Sequence, residues 1–207
     1  MSVSRLQVGI DVPWVTSWSE EPFLGVRPCP TVGGRLAAHQ TQRPGEGRPE
    51  YSRNHLVRQR RSVAEMLCPM CGAPTLEADR WTQTARRTSV GAMRARGFGQ
   101  LLLPELKDAA VVIDAGAIAP LHLACAERSM RQCPHLMAME SAEIRPFPKT
   151  WVVAPLMVEA KRPTPALPGL PGEGSTPVVS FLQIFGIPGE LDKRWRRELR
   201  RLQSAAP

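Results

Sequence analysis

At 207 residues the chain has room for one ordinary domain, or for a compact core with extensions. Hydrophobic residues make up 43% but aromatics only 5%, and 21 prolines with 16 glycines imply many turns and irregular connections rather than long regular elements. The net charge of +8 suits a polyanion partner, most directly nucleic acid, while the absence of any long apolar run excludes a bilayer-spanning helix. A second reading of the charge stands beside the first. Only four basic residues are Lys, an Arg bias typical of G- and C-rich genomes, and acidic residues are interspersed among them.

Residues 1–50 read as an irregular N-terminal arm. Val8 to Val15 suggests a short strand interrupted by Pro13, and Gly33-Gly34, Pro44-Gly45 and Gly47 break the stretch from Arg27 to Glu50. From 51 to 160 the pattern is that of a core. Ser52 is placed to cap a helix running to Leu67, with Leu56, Val63, Met66 and Leu67 on one side. Arg53, Arg58, Arg60 and Arg61 fall largely elsewhere. They read as a solvated face or, more sharply, as phosphate contacts. Ala109 to Asp114 predicts a strand, and Leu121 to Gln132 a helix. Trp151–Val158 and Val178–Phe185 are the best strands, suited to an antiparallel hairpin across the Pro/Gly-rich stretch 161–177. Residues 178–207 combine that second strand with a basic amphipathic helix. Its stripe is Leu191, Trp195, Leu199 and Leu202, surrounded by Lys193, Arg194, Arg196, Arg197, Arg200 and Arg201.

The chemistry-bearing motif is split. Cys68-Pro69-Met70-Cys71-Gly72 is one half and His122-Leu123-Ala124-Cys125 the other. Two ligands separated by two residues reach one ion from a tight turn, and thiolate and imidazole together suit zinc. A glycine after the second cysteine permits the knuckle conformation. The second pair instead opens a helix, on one face of its first turn. Cys68, Cys71, His122 and Cys125 are therefore the expected ligands of a structural Zn2+. Cys133 lies eight residues beyond Cys125, roughly 12 Å along a helix, too far to share the ion. An early helix break would let His135 replace His122. A thioredoxin-like dithiol at Cys68 and Cys71 would need a preceding strand, whereas a helix is expected there. Cysteines spaced as metal ligands, with no signal peptide at the N-terminus, point to a reducing, cytoplasmic setting.

A knuckle, a hairpin and a helix completing the site resemble the treble-clef zinc scaffold of His-Asn-His endonucleases. That family's chemistry needs a further histidine on the hairpin, where this chain has Val112-Ile113-Asp114-Ala115-Gly116. The resemblance therefore implies the scaffold without the catalysis. The run from Arg58-Gln59-Arg60-Arg61 to Cys71-Gly72, and that from His122 to Cys133-Pro134, are also similar to uncharacterised actinobacterial and phage proteins, which commonly carry Cys in place of His122. The expectation is an α+β fold: a small treble-clef-like zinc-binding domain with a β-hairpin and irregular extensions. The expected function is non-enzymatic binding of DNA, RNA or a protein partner. Arg58, Arg60, Arg61, Arg196, Arg197, Arg200 and Arg201 are the candidate phosphate contacts, and the C-terminal helix is the candidate protein contact. The alternative is a diverged nuclease or other metal-dependent enzyme, or a chain using free Cys133 or His135; loss of DNA cleavage on mutating Asp114 or His135 would mark it.

Overall fold

A computed structural model describes residues 3–102, 104, 106–161 and 175–187. In chain order its elements are β1 (Thr16–Trp18), β2 (Phe23–Pro28), β3 (Leu36–Gln40), β4 (Pro49–Asn54) and α1 (Leu56–Ala64). Then come β5 (Trp81–Thr82), β6 (Arg86–Ser89), α2 (Val90–Ala95), β7 (Val111–Asp114), α3 (Leu123–Gln132) and α4 (Pro134–Met137). β8 (Arg145–Pro146), β9 (Thr150–Lys161) and β10 (Ser175–Ile187) complete the α+β fold. Among the described residues no helix is long and apolar enough to cross a membrane.

β10 is the middle of the main sheet. Its Val, Phe, Leu and Ile residues favour an extended strand buried on both faces. One edge pairs antiparallel with β9 along its whole length, forming the hairpin expected from the sequence. The other edge is shared. β3 pairs parallel at Val179 and β7 pairs antiparallel at Phe185 and Gly186, with β2 beyond β3 and β6 beyond β7. Leu182 and Ile184 join a core with Ala37, Val63 and Phe147 beside α1. Phe185 and Ile187 join a second core with Val90, Met93 and Val112 beside α2. Pro155 stands opposite Leu182, whose own backbone groups are bonded to Gln59, so the proline occupies β9 without costing a ladder bond.

Between β3 and β7 the edge of β10 meets α1 side chains instead of a strand. Gln59 donates from Nε2 to the Leu182 carbonyl at 2.7 Å and accepts the Leu182 amide on Oε1 at 3.0 Å. Arg60 donates to the carbonyls of Ser180 and Ala38, both at 2.7 Å, tying β10 to β3. Ser180 lies at the bulge in the β9–β10 register, which leaves its carbonyl in need of a partner. Arg58, also buried, forks onto the Glu21 carboxylate at 2.6 and 2.8 Å and reaches the Thr16 carbonyl at 2.7 Å. Glu21 in turn accepts the amides of Trp18 and Arg43, each at 2.8 Å. Both Glu21 carboxylate oxygens and both terminal nitrogens of Arg58 are thus hydrogen-bonded, which makes a buried pair tolerable, while Arg58 Nε stays without a partner.

These contacts correct several expectations. Arg58 and Arg60 are 2% and 1% exposed, so no phosphate reaches them; Arg61 meets solvent, paired with Glu65 at 2.9 Å. The helix is shorter than expected. Ser52 sits in β4, and His55 caps α1 instead, its Nδ1 accepting from the amides of Val57 and Arg58. Residues 1–50 are not simply irregular, since β2 and β3 belong to the main sheet. No strand spans Val8–Val15; turns at Gly9 and Pro13 replace it, and the first strand starts at Thr16. The polar run after Arg86 holds β6 and α2. The Pro/Gly-rich stretch from 162 to 174 and the basic C-terminal segment, with Arg196, Arg197, Arg200 and Arg201, lie outside the described residues.

Replacing Gln59 by Leu strands both backbone groups of Leu182. We expect a loss of about 2–4 kcal/mol in denaturant unfolding, against less than about 1 kcal/mol for Arg61→Ala. A pH dependence arises from two buried histidines. Burial, and then Arg27 and Arg60, lower His39 to about 4. Burial, then Arg58, lower His55 to about 4 against the Thr41 carbonyl and Glu21. The unfolded chain, with histidine near 6.5, binds more protons below that value, so stability is full above about pH 6.5 and falls progressively toward pH 4. Thermal melts across this window should show the decline, and His55→Asn, which retains a capping acceptor, should flatten it.

Candidate metal centre

The N-terminal half of the centre is a turn that the chain closes on itself. After α1 the backbone passes through Met66 in the left-handed region, φ 51°, an uncommon conformation for a side chain of this size. Met66 is fixed there by Thr75, whose amide and hydroxyl both donate to its carbonyl at 2.8 Å. The knuckle then folds with the Cys68 amide donating to the Ala73 carbonyl and the Gly72 amide to the Cys68 carbonyl, each at 2.8 Å. Gly72 adopts φ +79°, and a Cβ there would meet the Trp14 ring at 2.9 Å. Trp14 and Val15 donate their amides to the Met70 and Pro69 carbonyls at 2.8 and 3.1 Å, strapping residues 7–15 across the turn.

The other half comes from α3. His122 occupies its N-cap and Cys125 its first turn, while Asp79 supplies the missing cap by accepting the Leu123 amide at 2.8 Å. Gln83 holds the middle of the helix through the Ala126 carbonyl and the Ser129 hydroxyl. Backbone pairing of Trp81 with Leu121, at 2.8 and 2.9 Å, fixes the approach.

These two pieces bring Cys68, Cys71, His122 and Cys125 together with all ligand atoms within 4.8 Å of one another. The four residues are positioned to bind a metal ion. The cluster contains His122 and not His135; Cys133 ends α3 and lies outside it. His122 Nδ1 lies 3.4 Å from Cys71 Sγ and 3.9 Å from Cys125 Sγ. Its Nε2–H donates to the Pro74 carbonyl at 3.1 Å, which leaves the Nδ1 lone pair facing the sulfurs.

The electrostatics of the sulfurs match that geometry. Burial pushes the Cys68 thiol up, against backbone amides of Cys71, His122 and Met70 that favour its thiolate. Burial, and then repulsion from Cys68 and Cys71, push Cys125 up to about 12. Three thiolates cannot share this space alone. A divalent cation removes the repulsion and displaces the protons. Cys68 and Cys125, with Met70, Leu121 and Ala126, form a small satellite core separate from the two under the sheet.

Beside the centre runs a groove that no motif or spacing in the sequence signals. Two cavities of about 160 and 470 Å3 share Pro13, Tyr51, Met70 and Ser129 in their walls. One wall is the knuckle and the other is α3, so the ligand pairs hold both. Among the described residues no Arg or Lys lines either cavity, and Asp11 is the single charged residue there. Elsewhere Asp114, the acid considered for catalysis, is fully engaged. Burial opposes its ionisation, but Arg96 at 2.7 Å, Gln183 at 3.0 Å and the Gly116 amide at 2.9 Å hold its carboxyl below the ordinary range.

Compared with known proteins, the chain matches no family model, and no curated protein or solved structure is similar enough to match.

Because the satellite core is small and contains all three ligand cysteines, metal removal should unfold it locally. Hydrogen exchange after chelation should show loss of protection at residues 67–75 and 122–132, with the amides of β10 still protected.

Proposed function

We propose that this chain is a non-enzymatic binding protein stabilised by one structural zinc ion, and that the groove beside the metal is its contact surface for another polypeptide. The observation that carries the reading is the closed Cys3His cluster, which uses all four tetrahedral positions and leaves none for substrate or water. Zinc suits the donors in type and in spacing. With Zn–S about 2.3 Å and Zn–N about 2.0–2.1 Å, tetrahedral angles set sulfur and nitrogen about 3.6 Å apart. The separations of 3.4 and 3.9 Å bracket that value.

The chain order of knuckle, antiparallel pair β6–β7 and helix α3 supports a treble-clef-like description, although here that pair also belongs to the main sheet. A protein partner is favoured over nucleic acid by two features. Burial withdraws Arg58 and Arg60 from the surface, and among the described residues the groove carries no cation to meet phosphate. Its apolar walls suit the side chains of a polypeptide, with Tyr51 and Met70 as the anchoring surface. No group at Asp114 is free to serve as a nuclease acid or base.

Metal analysis of the purified protein should give close to one equivalent of zinc, and content below about half an equivalent would sink the reading. Duplex DNA should bind only at the non-specific level, with Kd about 10⁻⁴ to 10⁻⁶ M and a steep loss on adding salt. Tight, sequence-dependent DNA binding, or DNA cleavage with added divalent metal, would overturn the choice of partner.

A further inference from the structure

We infer that the metal centre is also an oxidation switch, in which the Cys71 sulfur reacts first with a hydroperoxide and Cys68 closes a disulfide onto it. This rests on the zinc reading above and adds regulation to it. The four ligands are not equally sheltered. Cys68 and Cys125 are buried, whereas Cys71 and His122 are half-buried, so the centre turns one edge, bearing one sulfur, toward solvent. A metal-bound sulfur keeps thiolate character, the form that oxidants attack, and access selects among such sulfurs.

The partner sulfur is set by the turn. The Gly72 amide bonded to the Cys68 carbonyl at 2.8 Å closes a five-residue turn that carries both cysteines, and their sulfurs lie within 4.8 Å of each other. That spacing is within reach of a disulfide. Cys125 is on a different element, and α3 is held in place by Asp79 and Gln83. The Cys125 sulfur lies within the same 4.8 Å, so the choice of Cys68 rests on closure inside one turn, which asks for no adjustment between two elements.

The steps balance. Cys71 thiolate attacks a peroxide oxygen; an S–O bond forms, the O–O bond breaks, and the departing oxygen takes a proton from water to leave as alcohol or water. Cys68 thiolate then attacks that sulfur, forming the S–S bond and expelling hydroxide, which is protonated to water. Two electrons pass from the two sulfurs to the peroxide, and zinc is not itself oxidised or reduced. Cys125 and His122 alone cannot retain the ion, so it leaves. A thiol reductant reverses the disulfide and zinc rebinds. The groove wall carried by Pro69 and Met70 is thereby released from the wall carried by α3, so the contact surface exists only in the reduced, metal-bound state.

The test uses the full zinc-loaded chain and hydrogen peroxide, with zinc release read by a chromogenic chelator and disulfides mapped by peptide mass. Release equimolar with peroxide consumed, a Cys68–Cys71 link, and recovery with dithiothreitol and zinc are expected. Zinc retained while peroxide is consumed, or a link through Cys125, overturns the proposal. Cys133→Ser keeps every ligand and should release zinc at the wild-type rate; protection in that variant would assign the reaction to Cys133 and overturn it too. A preparation without bound zinc overturns the switch along with the reading beneath it, whereas zinc that is present and stays overturns the switch alone.

Discussion

The central strand β10 is held on one edge partly by side chains. Between its short contacts with β3 and β7, Gln59 pairs both backbone groups of Leu182 as a neighbouring strand would, and Arg60 takes up the carbonyl left over at the Ser180 bulge. A strand interrupted this way would otherwise bury unsatisfied peptide groups, each costing on the order of 1–3 kcal/mol. α1 therefore does more than cover a sheet with its apolar side. Its position fixes where β3 and β7 can stop, and so where the two cores divide. The Arg58–Glu21 pair anchors the same helix to the N-terminal segment, and that segment in turn straps the knuckle.

The metal lobe hangs from this frame. α1 ends at Ala64, the chain reverses at Met66, and the knuckle begins immediately. On the other side β7 leads through Gly116 and Leu121 into α3, with Ala115 and Gly116 bonded to the backbone of Ile184. Both halves of the ligand set thus leave the main sheet from places fixed by β10 or α1. A polar row inside the protein sets the distance across which the four ligands meet. The lobe's own hydrophobic content is too small to set that distance.

Legibility in the sequence divides along the same line. The ligands could be read because metal chemistry demands particular residue types at short spacing, and spacing is visible in one dimension. β9 and β10 were legible because their Val-, Ile- and Phe-rich runs have few competing readings. The strands at Phe23–Pro28 and Leu36–Gln40 were not. They are short, flanked by Pro and Gly, and paired through a register shift, so their stability comes from neighbours distant in the chain. Arg58 and Arg60 misled for a physical reason. An arginine is read as a surface residue unless its acceptors are known, and here the acceptors are Glu21, Ala38 and Ser180, scattered along the chain. His55 displaced Ser52 as the cap because an imidazole nitrogen accepted two amides, a role that capping statistics assign to shorter side chains.

The placement of β10 also bears on how the protein is made. The strand in the middle of the sheet is the last described element to be synthesised, and its bonds to α1 span 123 positions in the chain. While the polypeptide emerges from the ribosome, α1 must wait with the bonds of Gln59 to Leu182 and of Arg60 to Ser180 unmade and the apolar faces of β3 and β7 uncovered. The knuckle and α3 emerge earlier, and a metal ion can join them before the sheet exists. Ion capture would then come first in time, holding two distant stretches in register until the strand that completes the frame arrives.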